Sequence, residues 1–227
     1  QKKLEALQHD IFMAPIDEKL MDAVIAKATE MDFWSPKKGL FIRSSTNAED
    51  LPGFNGAGLY DTVPNVKGRE ALGEAIKQVW ASVWNLGAYE EREYFGIDHT
   101  AVYGAVLVQV GVNPTAAGVL ITAHAFDPNA TTTYTINAKR GVGIRVVEGH
   151  RVPEQILYDY HKRSLKILSR SDDDVMLVAD DKGGVKEVNI GKGEPVLTHR
   201  RTAKLVRMSR KLVEVFPKDH PLDIEWL

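Results

Sequence analysis

The stretch from Phe41 to Val66 combines an arginine, hydroxyls and glycines in a pattern that suits binding of a polyphosphate. Arg43 follows a short apolar run that is typical of a buried strand, and two glycine-rich turns lie further on. Arginine holds phosphate oxygens through a planar fork of N–H donors, and the backbone N–H groups of a glycine loop add more donors. Two interpretations remain at this point: a ligand-binding loop, or a surface loop in which Arg43 pairs with Glu49 or Asp50.

Several other polar residues in this stretch have a structural as well as a ligand-binding interpretation. Ser44 and Ser45 offer hydroxyls, which donate to phosphate oxygens but also cap loops. Thr46 and Glu49 have the spacing of a capping box, which predicts a structural role for Glu49. Asp61 would help to place a metal ion or would accept a hydrogen bond within a turn, and the sequence leaves both open.

A candidate metal-binding pair, Asp223 and Glu225, lies in the segment DIEW near the end of the sequence. Side chains at alternate positions of a strand lie on one face, about 7 Å apart along the strand. Two carboxylates in this arrangement suit magnesium, which prefers hard oxygen ligands and keeps water or phosphate oxygens in the rest of its shell. The alternative is a pair of solvated surface charges.

Gln109 is the one polar residue within the apolar run Val106–Val110. The run predicts a buried strand, and a buried amide must find partners for both its oxygen and its nitrogen. Gln109 is therefore expected either to bridge backbone groups or to bind a ligand.

Composition and charge exclude several classes of protein. The 227 residues are 44% hydrophobic and 26% charged, which is ordinary for a globular protein of one large domain or two small ones. A formal net charge of -2 argues against a nucleic-acid-binding surface. The absence of cysteine excludes disulfides and thiolate metal sites, and it fits a reducing, cytoplasmic compartment. No apolar run approaches the roughly 20 residues that span a bilayer, and the first residues do not form a signal sequence.

The spacing of apolar residues predicts helices mainly in the first part of the chain and strands in the second. The predicted helices cover residues 17–32, 69–86, 88–95 and 198–216. Asp17 is the expected N-cap of the first of them. From residue 101 onwards the sequence alternates and is rich in β-branched residues, which predicts antiparallel hairpins and a last strand over 221–227. Helices first and a mostly antiparallel sheet second indicate an α+β fold.

Three segments have sequences like those of a known family. They read IRSS followed by EDLP, AGLYDT followed by NV, and DIEW. They resemble the nucleotide-binding domain of the dikinases that pass phosphate through a histidine, namely phosphoenolpyruvate synthase, pyruvate phosphate dikinase, rifampin phosphotransferase and the glucan water dikinases. The wording AGLYD is nearest to the water dikinases, and the resemblance covers about residues 11–227.

The resemblance implies an ATP-grasp architecture, in which a nucleotide lies between two α+β lobes, with ATP and Mg²⁺ as ligands. The residues that match the family's nucleotide-binding positions are Arg43, Gly58, Thr62, Gln109 and Glu225. Arg43 is implied to contact the phosphates, which Gly58 approaches through its backbone N–H and Thr62 through its hydroxyl. Gln109 is implied to lie at the adenine end of the cleft. Asp223 and Glu225 match the metal-binding strand, so that Arg43 and Glu225 are the expected catalytic residues.

The whole of 1–227 is interpreted as an ATP-binding domain fragment. Residues 1–100 would form a helix-rich part with the phosphate loop, and 101–227 a strand-rich part that ends in the metal-binding strand. The family's lysine segment, and the glutamine and arginine that follow its metal strand, are not matched, which leads us to expect a longer polypeptide. Its phosphoacceptor histidine is expected on another domain, because the seven histidines here match neither the family's motif nor a metal-ligand spacing.

Two further departures concern the site itself. Ala117 stands where the family often has Ser or Thr, and Ile144 stands where it often has Glu. The resemblance implies an enzyme that splits ATP to AMP and phosphorylates a histidine, then an acceptor such as pyruvate, water or a glucan, while the fragment alone is expected to be inactive. The alternatives are a non-catalytic nucleotide-binding or regulatory module of the same fold and, more remotely, a different ATP-grasp ligase.

Overall fold

The computed structural model describes two compact units. The described residues are 1–35, 38–51, 53–56, 58–142, 152–217 and 220–227. The first unit contains Gln1–Val112 and Ala179–Val185, and the second contains Asn113–Val178 and Lys186–Leu227. Within the described ranges, no helix has the length and apolar character needed to cross a bilayer.

Helices cover one face of a small antiparallel sheet in the first unit. Its helices are α1 (Lys2–Met13), α2 (Glu18–Glu30), α3 (Arg69–Ser82) and α4 (Leu86–Tyr94). Its strands are β1 (Leu40–Ser44), β2 (Asp50–Leu51), β3 (Phe54–Asn55), β4 (Thr62–Val66) and β5 (Val106–Val110). The sheet has the order β4-β1-β5, with both pairs antiparallel, and β2 and β3 form a separate short hairpin.

One face of this sheet packs against α3. Leu40 and Ile42 of β1 are 1% and 0% exposed. They share a core with Met21 of α2 and with the apolar stripe of α3, which consists of Leu72, Ala75, Ile76 and Val79. These α3 residues recur every three or four positions, as the sequence predicts for a helix with one buried face.

One predicted helix cap is confirmed, and one helix of the structure is not among those predicted. Asp17 caps α2, because its carboxylate accepts a hydrogen bond from the backbone N of Lys19 at 2.8 Å. Helix α1, which packs on α3, is not among the predicted helices. Its apolar positions Leu4, Leu7 and Ile11 form a stripe that is only partly covered, so its periodic signal is weak.

Strand β4 lies at one edge of the sheet and is irregular. It contains Pro64, which has no N–H to donate, and Asn65, whose φ of 52° is left-handed. The side-chain amide of Asn65 donates to the carbonyl oxygens of Asp180 and Gly184 at 2.7 and 2.6 Å. The backbone N of Gly184 donates in turn to the carbonyl oxygen of Asn65 at 3.0 Å. The turn 180–184 therefore closes on this edge.

The second unit is built on a five-stranded antiparallel sheet. Its strands and those of the adjoining hairpin are β6 (Ala116–Ile121), β7 (Thr133–Arg140), β8 (Glu154–Asp159), β9 (Ser164–Ser169), β10 (Val175–Ala179), β11 (Val185–Asn189) and β12 (Asp223–Trp226). The sheet order is β12-β6-β7-β8-β9, and β10 pairs with β11. Helix α5 (His199–Val213) covers one face of the sheet, where Leu120, Ile136 and Ile156 are each 0% exposed and pack with Val206.

The α+β prediction is confirmed. Helices flank mostly antiparallel sheets, and DIEW forms strand β12. The alternating segments that follow residue 113 form hairpins, whereas β5 pairs with β1 of the first unit. This arrangement is consistent with an ATP-grasp-like fold.

Candidate functional site

Strand alternation places Arg43 on the side of the first sheet that faces away from α3. Leu40 and Ile42 belong to the core, so Phe41 and Arg43 lie on the opposite face. Arg43 pairs with Thr62 of β4 on one side and with Leu107 of β5 on the other. Residues opposite each other in antiparallel strands have neighbouring side chains on one face, so these three side chains form a row.

The guanidinium of Arg43 has no hydrogen-bond or salt-bridge partner within the described ranges of the chain. The acid predicted as one alternative partner, Glu49, is engaged elsewhere, since it accepts from the Ser44 hydroxyl at 2.8 Å and from the Thr46 backbone N at 3.0 Å. The structural role predicted for Glu49 is thereby confirmed. The other acid, Asp50, has a side chain outside the described part of the structure. An unpaired arginine that is half-buried on a sheet face is a suitable ligand for phosphate oxygens.

Gln109 lies on the same sheet face as Arg43, two residues beyond Leu107 in β5. It pairs with Phe41, and neighbouring strands in a sheet are about 4.8 Å apart. The expectation of a buried amide is wrong, because Gln109 is exposed and Leu107 beside it is 49% exposed. Valines alternate with these two residues and occupy the core side, so the apolar character of the run comes from one face of a half-covered strand.

The glycine loop that follows β1 is tightly folded. Gly53 and Gly58 have φ values of 81° and 80°, which only glycine adopts readily. The backbone N of Gly56 donates to the carbonyl oxygen of Glu49 at 2.7 Å. A Cβ on Gly56 would lie 3.0 Å from the carbonyl oxygen of Ala48. The loop therefore requires glycine for its backbone shape, which suits close approach of a ligand to backbone N–H groups.

Asp61 has a structural partner for each carboxylate oxygen. Its oxygens accept from the side-chain amides of Gln78 and Asn85, both at 3.2 Å, and Asn85 in turn accepts from Gln8 at 2.6 Å. Of the two interpretations left open by the sequence, these contacts favour the hydrogen-bonding one. Asp61 connects the loop to α1, α3 and the start of α4.

In the second unit, β12 presents Asp223 and Glu225 on one exposed face. Ile224 and Trp226 pack into the core, so the two acids point to the other side, about 7 Å apart along the strand. Neither acid has a described partner. No described group of three or more acidic or histidine side chains could enclose a metal ion. The pair therefore fits an ion that takes most of its ligands from water or a bound phosphate.

A further oxygen faces the same way as Glu225. Glu225 pairs with Val119 of β6, and Val119 pairs with Asn137 of β7. The Oδ1 atom of Asn137 is buried and lacks a hydrogen-bond partner in the described ranges. A buried amide oxygen without a donor is uncommon in folded proteins, and the sequence context of Asn137 gives no sign of it. Asn137 shares this sheet face with Glu225, two strands away.

The structure describes one of the two positions within the site at which the sequence departs from the resembling family. Ala117 is 3% exposed in β6 and pairs with Lys139, which is 4% exposed and lies 4.0 Å from Asp173. A buried lysine of this kind is not recognisable from the alternating pattern of β7. Ile144 and its neighbours lie outside the described residues.

Arg92 is a second arginine that the sequence does not single out. It lies in α4 among three glutamates, where it resembles a surface charge, yet it is 0% exposed. Its Nε donates to Nδ1 of His99 at 3.2 Å, one NH2 group donates to the Tyr60 hydroxyl at 3.3 Å, and the other donates to the carbonyl oxygen of Val83 at 2.7 Å. Tyr60 is part of the AGLYD segment, so Arg92 contacts the end of the glycine loop through the Tyr60 hydroxyl.

Four of the predicted site residues lie in the first unit and two lie in the second. Arg43, Thr62 and Gln109 share one sheet face, and Gly58 lies in the loop that precedes β4. Asp223 and Glu225 share one face of β12. Each unit by itself thus presents polar groups of the kind that the sequence predicts.

All 227 residues match the family model for the pyruvate phosphate dikinase AMP/ATP-binding domain. The chain is 31% identical over 194 residues to a probable phosphoenolpyruvate synthase of Pyrococcus abyssi, an alignment that covers 82% of the chain and 23% of that protein. It is 35% identical over 188 residues to a rifampicin phosphotransferase of Streptomyces sviceus, an alignment that covers 82% of the chain and 21% of that protein. It is 33% identical over 190 residues to a probable phosphoenolpyruvate synthase of Methanocaldococcus jannaschii, and this alignment covers 82% of the chain and 16% of that protein.

The chain therefore belongs to the family of the pyruvate phosphate dikinase AMP/ATP-binding domain. The resemblance found in the three sequence segments is confirmed. The chain spans between 16% and 23% of the length of the three relatives named above.

Proposed function

We propose that this chain is the ATP-binding part of a dikinase-type phosphotransferase. The observation that supports this most directly is the guanidinium of Arg43, which has no partner among the described residues and lies beside Thr62 on an open sheet face, in a chain of the AMP/ATP-binding family. Calorimetric titration with Mg-ATP is the direct test. A chain that retains its fold and binds no nucleotide contradicts the proposal.

The roles proposed for the first unit follow from donor chemistry. Arg43 holds phosphate oxygens through its fork of N–H groups, and Thr62, opposite it in the sheet, donates from its hydroxyl. Gly58 offers a backbone N–H in a loop whose shape requires glycine. Gln109, exposed on the same face, offers an amide that can both donate to and accept from an adenine ring. The cation and the loop would offset charge on the phosphates, which is the main requirement in phosphoryl transfer.

Asp223 and Glu225 are proposed to hold Mg²⁺ together with nucleotide phosphates. Both are exposed on one face of β12, and neither has a described partner. When bound, magnesium would supply positive charge that stabilises the polyphosphate. Because two carboxylates leave most of an octahedral shell open, magnesium is expected to bind weakly without nucleotide.

Replacing Glu225 with glutamine is expected to reduce the magnesium dependence of ATP binding and to leave the fold intact. Outer-shell partners already contribute about 10–100-fold to metal affinity, so loss of a direct ligand should cost at least roughly tenfold. Titrations with and without magnesium measure this ratio. Glu194→Gln, at another exposed glutamate of the second unit, is the matched control. A Glu225→Gln protein with unchanged magnesium dependence would mean that the pair is only surface charge.

For the longer protein we propose that ATP is split to AMP, with one phosphoryl group passing to a histidine on another domain and a second to an acceptor such as pyruvate, water or a glucan. The names of the relatives support a phosphotransferase, and their greater length leaves room for acceptor domains. The second candidate is a nucleotide-binding module without turnover. Ala117, buried where a hydroxyl is common in the resembling family, favours this alternative.

The 227-residue chain alone is expected to bind ATP without forming AMP. In-line transfer requires an acceptor within reach as well as groups that bind the phosphates. The described histidines lie in neither a metal cluster nor the row formed by Arg43. Release of AMP from labelled ATP can be followed for this chain and for a longer polypeptide that contains it. AMP formed by the chain alone would overturn the expectation. If neither the chain nor the longer polypeptide formed AMP, the binding module would be favoured.

A further inference from the structure

Arg92 is a fully buried cation whose described partners are all neutral. Its guanidinium contacts a backbone carbonyl, a phenol and an imidazole, and its Cζ lies 6.0 Å from the ring centroid of Tyr60 and 5.7 Å from that of Trp84. No carboxylate is bonded to it within the described ranges. Removing a charge from water is costly, so a cation buried without an anionic partner requires a specific explanation.

The Tyr60 hydroxyl connects Arg92 to the start of the glycine loop. It accepts from Arg92 and donates its own hydrogen to the carbonyl oxygen of Ala48 at 3.1 Å. Ala48 is 1% exposed, and its carbonyl oxygen is the atom nearest to the Cβ position of Gly56. The order of contacts is therefore Arg92, Tyr60, Ala48 and the backbone of the loop.

A second contact joins the loop to the end of α4. Phe54, in the hairpin of the loop, is 5% exposed, and its ring meets that of Phe95 edge-to-face with centroids 5.4 Å apart. Phe95 directly follows α4, three residues after Arg92. The loop thus rests on this end of α4 through one apolar and one polar contact.

His99 fixes the orientation of Arg92. Arginine can only donate, so Nδ1 of His99 must accept, and the proton of the neutral ring lies on Nε2, 2.9 Å from a carboxylate oxygen of Glu93. The ring of Tyr89 stacks on His99 at 4.2 Å. The turn that begins at His99 is capped by Asp98, and the hydroxyl and backbone N of Thr100 both donate to that carboxylate, which lowers its pKa.

We infer that Arg92 is a positioning residue that holds the glycine loop in its phosphate-binding shape through the Tyr60 hydroxyl. This inference rests on the proposed function for the identity of the ligand. Arg92 does not touch the nucleotide itself, because it is completely buried behind the loop. Its charge adds a fixed positive potential on the side of the loop away from the ligand, which favours a polyphosphate over a neutral ligand.

Tyr60→Phe tests the inference because it removes only the bridging hydroxyl and keeps the aromatic ring. Hydrogen exchange of the Gly56 amide, which is bonded to Glu49, is expected to accelerate about two- to tenfold, as for the loss of one hydrogen bond. Exchange in β1 should be unchanged. Tyr158→Phe, at a tyrosine 4% exposed in the second unit, is the matched control and should leave the Gly56 amide as in the wild type.

Nucleotide affinity separates a positioning role from general stability. ATP affinity of Tyr60→Phe is expected to fall by about two- to tenfold, while AMP, which lacks the outer phosphates, loses less. Arg92→Lys keeps the charge but not the fork, so it should reproduce the loss of ATP affinity. Adding it to Tyr60→Phe should cost little more affinity, because of the three hydrogen bonds that Arg92 donates only the one to Tyr60 leads to the loop.

The two readouts distinguish the inference from the proposed function. Unchanged exchange at Gly56 in Tyr60→Phe overturns the positioning role whether or not nucleotide binds. Faster exchange at Gly56 in Tyr60→Phe, together with a wild-type chain that binds no ATP, supports the contact but overturns the proposed function. Equal losses of ATP and AMP affinity, or simple additivity of the two substitutions, would show that Arg92 acts only on stability.

Discussion

Arg43→Ala is expected to weaken Mg-ATP binding by about 1.5–3 kcal/mol, or roughly ten- to a hundredfold, since it removes the proposed charge-assisted contact to phosphate. The guanidinium has no described intramolecular partner, so its loss leaves none of the described acids unpaired. The thermal stability of the chain should therefore change little. Calorimetric titration of the wild type and the variant measures the difference in affinity directly.

Two further variants make this test specific. Arg43→Lys keeps the positive charge and loses the planar fork, so its affinity should lie between those of the wild type and the alanine variant. Arg69→Ala removes an exposed arginine of the same unit that pairs with Glu18 and Asp22, and it should bind ATP normally. Equal affinity of wild type and Arg43→Ala would remove Arg43 from the site.

Gly118→Ala is expected to destabilise the second unit by about 3 kcal/mol, the upper part of the usual range for overpacking. A Cβ at Gly118 would lie 1.9 Å from the backbone carbonyl oxygen of Asn137 and 2.9 Å from the ring of Trp226. The backbone oxygen belongs to the neighbouring strand β7, so it cannot move without disturbing the pairing of β6 and β7. Urea unfolding monitored by hydrogen exchange in these two strands measures the loss.

Gly73→Ala provides the opposite case in the same chain. A Cβ there would meet Ile16 at 3.6 Å and Met21 at 3.7 Å, which are ordinary contact distances. Gly73 lies inside α3, where alanine is favoured over glycine by about 0.5–1 kcal/mol. The variant should therefore be slightly more stable than the wild type. A Gly118→Ala protein as stable as Gly73→Ala would contradict the close packing of β6 on β7.

The features predicted correctly from the sequence depend on local periodicity. Alternation along DIEW places both acids on one face, and the stripe of α3 predicts the side that covers the sheet. The hydrogen bond from the backbone N of Thr46 to the carboxylate of Glu49 is likewise decided within four residues. Such features need no knowledge of distant segments.

The features that sequence reasoning missed are decided by distant contacts. Gln109 is exposed because only one face of β5 meets α3, and nothing within the five-residue run indicates how many of its faces are covered. Arg92 is buried because Tyr60, Val83 and His99 converge on it from other segments. Its own neighbours in α4 are exposed glutamates, so local composition predicts a surface position.

The irregularity of β4 has a consequence for solubility. A three-stranded sheet has two edges, and a regular edge strand offers unpaired N–H and C=O groups to other chains, which favours aggregation. On β4, Pro64 removes one donor, and the carbonyl of Asn65 is occupied by Gly184. The left-handed turn of the backbone at Asn65 further interrupts the straight run that a foreign strand would need. An open sheet face around Arg43 can thus coexist with a protected edge, so that the sheet is a poor template for strand addition along β4.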